Sequence, residues 1–136
     1  MERLGKMFAT HPDPVTSNGD VAHACIAAAT ECALVCTVCA DACLGEDDVK
    51  AQVKCIRLNL DCASVCRLTA ELLARPSRRD EPALHAQLDA CIRMCTACGD
   101  ECARHGAMGM EHCAICAEAC RACADSCRRM AASLVP

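Results

Sequence analysis

The intervals between its cysteines constrain this chain more than any other feature. Cys25, Cys32, Cys36, Cys39 and Cys43 are separated by steps of 7, 4, 3 and 4, and Cys91, Cys95, Cys98 and Cys102 by 4, 3 and 4. Cys113, Cys116, Cys120, Cys123 and Cys127 follow the same rule, and Cys55, Cys62 and Cys66 form a thinner version of it. Steps of three and four return a side chain to one face of an α-helix, whereas a strand needs steps of two. Each set therefore lines one helix face. Four such helices with their thiols turned inward give an all-α, antiparallel up-down-up-down four-helix bundle with a Cys-lined core.

Breakers and caps place the helices. Residues 1–19 read as an N-terminal extension that ends in His11-Pro12-Asp13-Pro14 and Ser17-Asn18-Gly19. The first bundle helix is expected from Asp20, as N-cap, to Cys43 or Leu44, where Gly45 stops it. The second starts at Asp47 or Asp48 and reaches Ala74; the stretch from Arg75 to Asp80 connects it to the third. The third begins at Glu81-Pro82 and ends near Arg104, and after Gly106 and Gly109 the fourth runs from Met110 to Met130. The Cys-rich bundle spans 20–132, leaving 133–136 as a C-terminal tail.

With 17 cysteines the count is odd, and they lie in Ala-rich periodic segments rather than in loops, so a disulfide framework does not fit. The first 20 residues contain no apolar core of a signal peptide, and no stretch approaches the ~20 apolar residues of a membrane span. A reducing cytoplasmic setting is the expectation, with the thiols free. Net charge is −4, with no basic cluster and no Trp or Tyr, so neither nucleic acid nor membrane is an expected partner. Enzyme chemistry also lacks support: there is no Glu-x-x-His pair for a di-iron bundle and no strand pattern around a redox Cys-x-x-Cys.

Stripes of thiols suit soft metal ions. Thiolates select Cu(I), Zn(II) or iron–sulfur clusters, and here the pairs repeat along whole helices without grouping into fours. Cu(I) takes two or three thiolates, which can bridge two ions, so capacity is on the order of one Cu(I) per thiol, about 17 per chain. A general zinc or cadmium buffer, metallothionein-like, is the alternative. Antiparallel order gathers Cys43, Cys55, Cys102, His105, Met108, Met110, His112 and Cys113 at one end, a mouth rich in soft donors. It gathers Val21, Leu72, Leu73, Leu84, Leu88 and Met130 at the other, a plug. His112, beside Cys113 and one turn from Cys116, is a candidate ligand; His105 is a second, and the thioethers of Met108 and Met110 are entrance candidates. Asn59 lies on the thiol face between Cys55 and Cys62, as either a hydrogen-bonded core amide or a carbonyl ligand to copper. Ala29, in the matching gap of the first helix, is packing. His11, His23 and His85 read as surface residues.

The motifs Cys32-x₃-Cys36-x₂-Cys39-x₃-Cys43, Cys91-x₃-Cys95-x₂-Cys98-x₃-Cys102 and Cys113-x₂-Cys116-x₃-Cys120-x₂-Cys123-x₃-Cys127 resemble those of the bacterial copper storage proteins, in particular the cytosolic branch. The resemblance covers about 20–132. It implies storage of Cu(I), a tetrameric assembly and a histidine-bearing entrance. Independently, the second helix carries another apolar stripe (Val49, Val53, Ile56, Leu60, Ala63), and the first presents Ala28, Val35, Val38 and Ala42 beside its thiols. A helix apolar all round buries more than one face, so the backs of these two helices are expected to meet other subunits in a homo-oligomer. The fourth helix, with Glu111, Glu118, Arg121, Asp125, Arg128 and Arg129, is expected to keep a wet outer side.

Overall fold

All 17 cysteines lie on four long helices in the computed structural model of the chain, which describes residues 1–13 and 19–134. A short α1 (Glu2–Ala9) precedes them, followed by α2 (Gly19–Leu44), α3 (Val53–Leu73), α4 (Glu81–Gly106) and α5 (Glu111–Ser133). No strand occurs among the described residues. α2 packs on α3 and α5, and α4 on the same two, so the four helices close a ring in which sequence neighbours run antiparallel. This is the four-helix bundle that the periodicity predicts. Of the expected breakers before α2, Pro14, Ser17 and Asn18 lie outside the described residues.

The helix ends follow local chemistry. The Asp80 carboxylate caps α4 by accepting from the Ala83 N–H at 2.9 Å, with Pro82 in the first turn where its missing N–H costs nothing. Asp48 accepts from the Ala51 N–H at 3.3 Å, but what it starts is a 3-10 turn, Val49–Gln52, and α3 proper begins at Val53. Such turns are common at the N-terminus of α-helices. The α4–α5 turn depends on two glycines. Gly109 has φ +96, a left-handed conformation open to Gly, and a Cβ on Gly106 would come within 2.9 Å of Ala114. That close approach brings His105 and His112 to the same end of the bundle.

At the far end Leu73, Leu84, Leu88 and Met130 are fully or almost fully buried, and Leu134 joins them; Val21 and Leu72 are half-buried against them. The extension contributes more than its sequence reveals. α1 lays Leu4 and Phe8 against the core, and the Phe8 ring meets His23 edge-on, with centroids 6.1 Å apart at 72°. His23, read from sequence as a surface residue, is half-buried by this contact, and His11 and His85 are half-buried too.

One expectation needs correction. α2 is long and apolar enough, by length and composition, to cross a membrane. Its five cysteines are buried and pack towards α3 and α5, while Leu34, Val38 and Leu44 of the same helix are exposed. The apolar backs also divide. Ala63 is buried inside the bundle, and Ile56 and Val35 pack against the core, because they border the thiol face. Val53, Leu60 and Val38 are exposed, together with Leu34, Leu44 and Leu68. On α5 the outer side is wet as expected except for Ile115, which is exposed.

Candidate metal centre

A thiol is small, so four helices can approach closely around a core made of little else. Every cysteine is buried, none more than 1% exposed, and all are free. Sulfur meets sulfur between α2 and α5 and between α3 and α4. Cys25 and Cys127 lie 3.7 Å apart, Cys36 and Cys116 3.7 Å, Cys62 and Cys95 3.7 Å, Cys66 and Cys95 3.6 Å, and Cys39 and Cys113 3.8 Å. Along single helices Cys32 and Cys36 are 3.8 Å apart and Cys98 and Cys102 4.0 Å. The helices thus aim their sulfurs at one another at distances one soft ion can bridge.

The sulfurs group into overlapping sets whose donor atoms all lie within 4.8 Å of one another: Cys32, Cys62, Cys66, Cys95; Cys32, Cys36, Cys62, Cys120; Cys36, Cys98, Cys116, Cys120; and Cys66, Cys91, Cys95, Cys123. Six cysteines (Cys32, Cys36, Cys62, Cys66, Cys95 and Cys120) belong to two of these four sets. They cannot all be separate four-thiolate sites at once. Shared ligands are what bridging thiolates in a cluster require.

The acidity of the thiols varies along the core, raised at some and lowered at others. Burial pushes the Cys43 thiol up to about 11 and raises Cys113 as well. Deeper in, Cys36 is raised first by its contact with Cys116, and Cys66 and Cys95 by Cys123, while Cys32 and Cys62 are lowered, first by their contact with Cys120.

Asn59 is fully buried among the sulfurs. Its Nδ2 donates to Cys55 Sγ at 3.4 Å, and its Oδ1 accepts from Cys116 at 3.1 Å, Cys98 at 3.2 Å and Cys102 at 3.6 Å. It is thus a hydrogen-bonded core amide, with its carbonyl oxygen held where three thiols from two helices converge. Ala29 is buried packing, as expected.

The mouth carries the two histidines. His112 places Nδ1 3.5 Å from both Cys39 Sγ and Cys113 Sγ, and with Cys39, Cys43 and Cys113 it forms a further four-donor group. Its Nε2 lies 2.9 Å from Glu46 Oε1, from the loop after α2. His105 is 1% exposed, and its Nδ1 is buried without a hydrogen-bond partner. Its Nε2 lies 3.4 Å from Glu101 Oε2 and 3.1 Å from Arg104 Nη2, and Arg104 grips Glu101 through two contacts of 2.9 and 3.0 Å. Met110 is half-buried and its carbonyl accepts from the Cys113 N–H, whereas Met108 is 63% exposed on the turn. Sequence reasoning missed Glu46, Glu101 and the buried Gln52. Glu46 is 66 residues from the histidine it meets, and nothing in the local pattern connects them.

Comparisons with known proteins agree with this core. The family model for copper storage proteins matches residues 18–132, so the chain belongs to the copper storage protein family. The copper storage protein Ccsp from Streptomyces lividans, loaded with 10 copper equivalents, shares its fold: TM-score 0.92 and 44% identity, covering 96% of this chain and 99% of that one. The Cu(I)-bound copper storage protein BsCsp3 aligns with TM-score 0.72 and 36% identity over 82% of this chain and 98% of its own. An uncharacterized cysteine-rich protein of Bacillus subtilis, YhjQ, is 37% identical over 82 residues, 60% of this chain and 72% of that protein. The resemblance seen in the cysteine motifs is therefore a family relationship.

Proposed function

We propose that the protein stores Cu(I) in the cytoplasm on the 17 thiolates of residues 20–132, admitting and releasing it at the His105/His112 end. The overlapping four-sulfur groups carry this reading. Charge separates copper from the zinc alternative. About four Zn²⁺ on sixteen thiolates would leave roughly eight negative charges in a dry core, which is expensive. One Cu⁺ per thiolate leaves the core near neutral. His112 and His105 act as ligands at the mouth, and the Asn59 carbonyl oxygen serves a copper held near Cys98, Cys102 and Cys116. Met108 and Met110 are thioethers at the entrance. Sequestration needs no catalytic step, and no residue is assigned one. Support for a cytoplasmic setting comes from the free thiols and from a relative, the cytosolic copper storage protein of Streptomyces lividans.

Protein purified anaerobically from cells grown with added copper should carry many copper ions, and protein from zinc-supplemented cells few zinc ions. Zinc loading to a comparable sulfur saturation would favour the general thiol buffer instead.

Assembly into a homo-oligomer, a tetramer by the family resemblance, is part of this reading and is supported by the exposed apolar backs of α2 and α3. Val38 is 66% and Leu60 50% exposed, and a groove of about 270 Å³ lined by Leu34, Val35, Val38 and Ile115 lies beside the mouth. Exposed apolar patches of this kind are sites of protein contact. Apo protein should sediment as an oligomer at micromolar concentration, and the pair V38K/L60K should shift it to monomer without loss of copper capacity. A wild-type monomer would refute the assembly and leave the storage reading intact.

A further inference from the structure

We propose that Glu46 is a positioning residue for copper uptake: its carboxylate holds His112 with the proton on Nε2 and the Nδ1 lone pair aimed between Cys39 and Cys113. The inference rests on the reading that copper enters at the mouth. A neutral imidazole carries one proton, on either nitrogen, and an ionised carboxylate can only accept. With Glu46 Oε1 2.9 Å from Nε2, the proton stays on that nitrogen and Nδ1 is left as a donor for metal. Nδ1 then faces two sulfurs at equal distances of 3.5 Å. A cuprous ion arriving there finds a nitrogen lone pair that needs no deprotonation and two thiols that each lose a proton on binding. The position of Glu46 also matters. It belongs to the loop after α2, whereas His112 opens α5, so the pair ties that loop to the rim beside the open groove.

His105 is built differently, which makes it an internal comparison. Its Nε2 faces both an acceptor, Glu101, and a donor, Arg104, so no single partner fixes its tautomer. The ready-made acceptor at the entrance is His112, and Glu46 makes it so.

The test uses the reduced, copper-free full chain labelled with ¹⁵N, with long-range ¹H–¹⁵N spectra of the imidazoles at about pH 8, above the ordinary histidine range. The His112 signals are assigned by their loss in His112→Ala. Wild type should show His112 as the Nε2–H tautomer. In Glu46→Ala it should become a mixture of both tautomers while His105 is unchanged. Uptake of the first copper equivalents from a Cu(I)–chelator complex should slow about tenfold, the low end of such outer-sphere effects, with the final capacity unaltered. Asp47→Asn removes a neighbouring charge without touching His112 and should change neither reading. The proposal is overturned if Glu46→Ala leaves the tautomer and the uptake rate as in wild type. It is also overturned if Asp47→Asn slows uptake equally, since general attraction by negative charge would then suffice. Wild-type uptake by His112→Ala would instead remove the entrance itself, whatever the tautomer in the apo protein.

Discussion

Loading with Cu(I) should raise the unfolding temperature by at least about 20 °C while leaving the far-ultraviolet circular dichroism almost unchanged. Buried, unoxidised cysteine behaves as a small hydrophobe, so the thiol core packs before any metal arrives. Ala, Leu, Glu and Arg on the helices favour the helical state on their own. Copper then adds ties between helices. Cys25 with Cys127 links α2 to α5, Cys62 with Cys95 links α3 to α4, and the sulfurs of each pair stand 3.7 Å apart. An ion bound to the native arrangement contributes about 2.7 kcal/mol when free ligand is at 100 times its Kd. Five such sites give about 13 kcal/mol, and even after binding to the unfolded chain's own thiols is discounted, several degrees per kcal/mol make the shift large. Thermal melts of apo and loaded protein read it directly. A rise below about 5 °C would mean that copper does not bridge helices. A coil-to-helix transition on loading would show metal-driven folding of the zinc-finger kind.

Replacing both His105 and His112 with alanine should slow loading and unloading by about tenfold or more, yet cost no more than a few ions of capacity. The two imidazoles stand at the donor-rich end, one buried and one half-exposed, while the other end is closed by Leu73, Leu84, Leu88 and Met130. An ion that enters elsewhere must pass aliphatic side chains with no soft donor except Met130. Stopped-flow transfer from a Cu(I) chelator measures the rate, and titration to saturation measures the capacity. Rates equal to wild type would place the entrance away from these histidines.

The thiol core was legible in the sequence because its signal is redundant. Every helix repeats the three-and-four step, so Cys32, Cys66, Cys95 and Cys120 report the same face independently, and Asn59 falls on that face by register alone. The antiparallel order of four helices with short connections then separated mouth from plug. Other features are carried by single residues in three dimensions. α1 is 8 residues long with a Gly at position 5, too short to be stable as an isolated helix, and it exists by packing Leu4 and Phe8 on the bundle. Glu101 looks like any charged residue on a helix, yet it is 6% exposed and held by Arg104. Glu46 looks like part of a solvated acidic loop, and only the fold brings it to His112. Ala63 continues an apolar stripe on paper but lies inside the bundle, and Ile56 packs half-buried against it, because a face defined by small steps is wider than the thiols that mark it.

Storage by a thiolate core is tested most directly by stoichiometry. Reduced protein titrated anaerobically with Cu(I), against a competing chelator, should take up copper to on the order of one ion per thiol, about 17 per chain. Saturation at about one to four ions per chain, the occupancy of isolated sites with separate ligand sets, would contradict it.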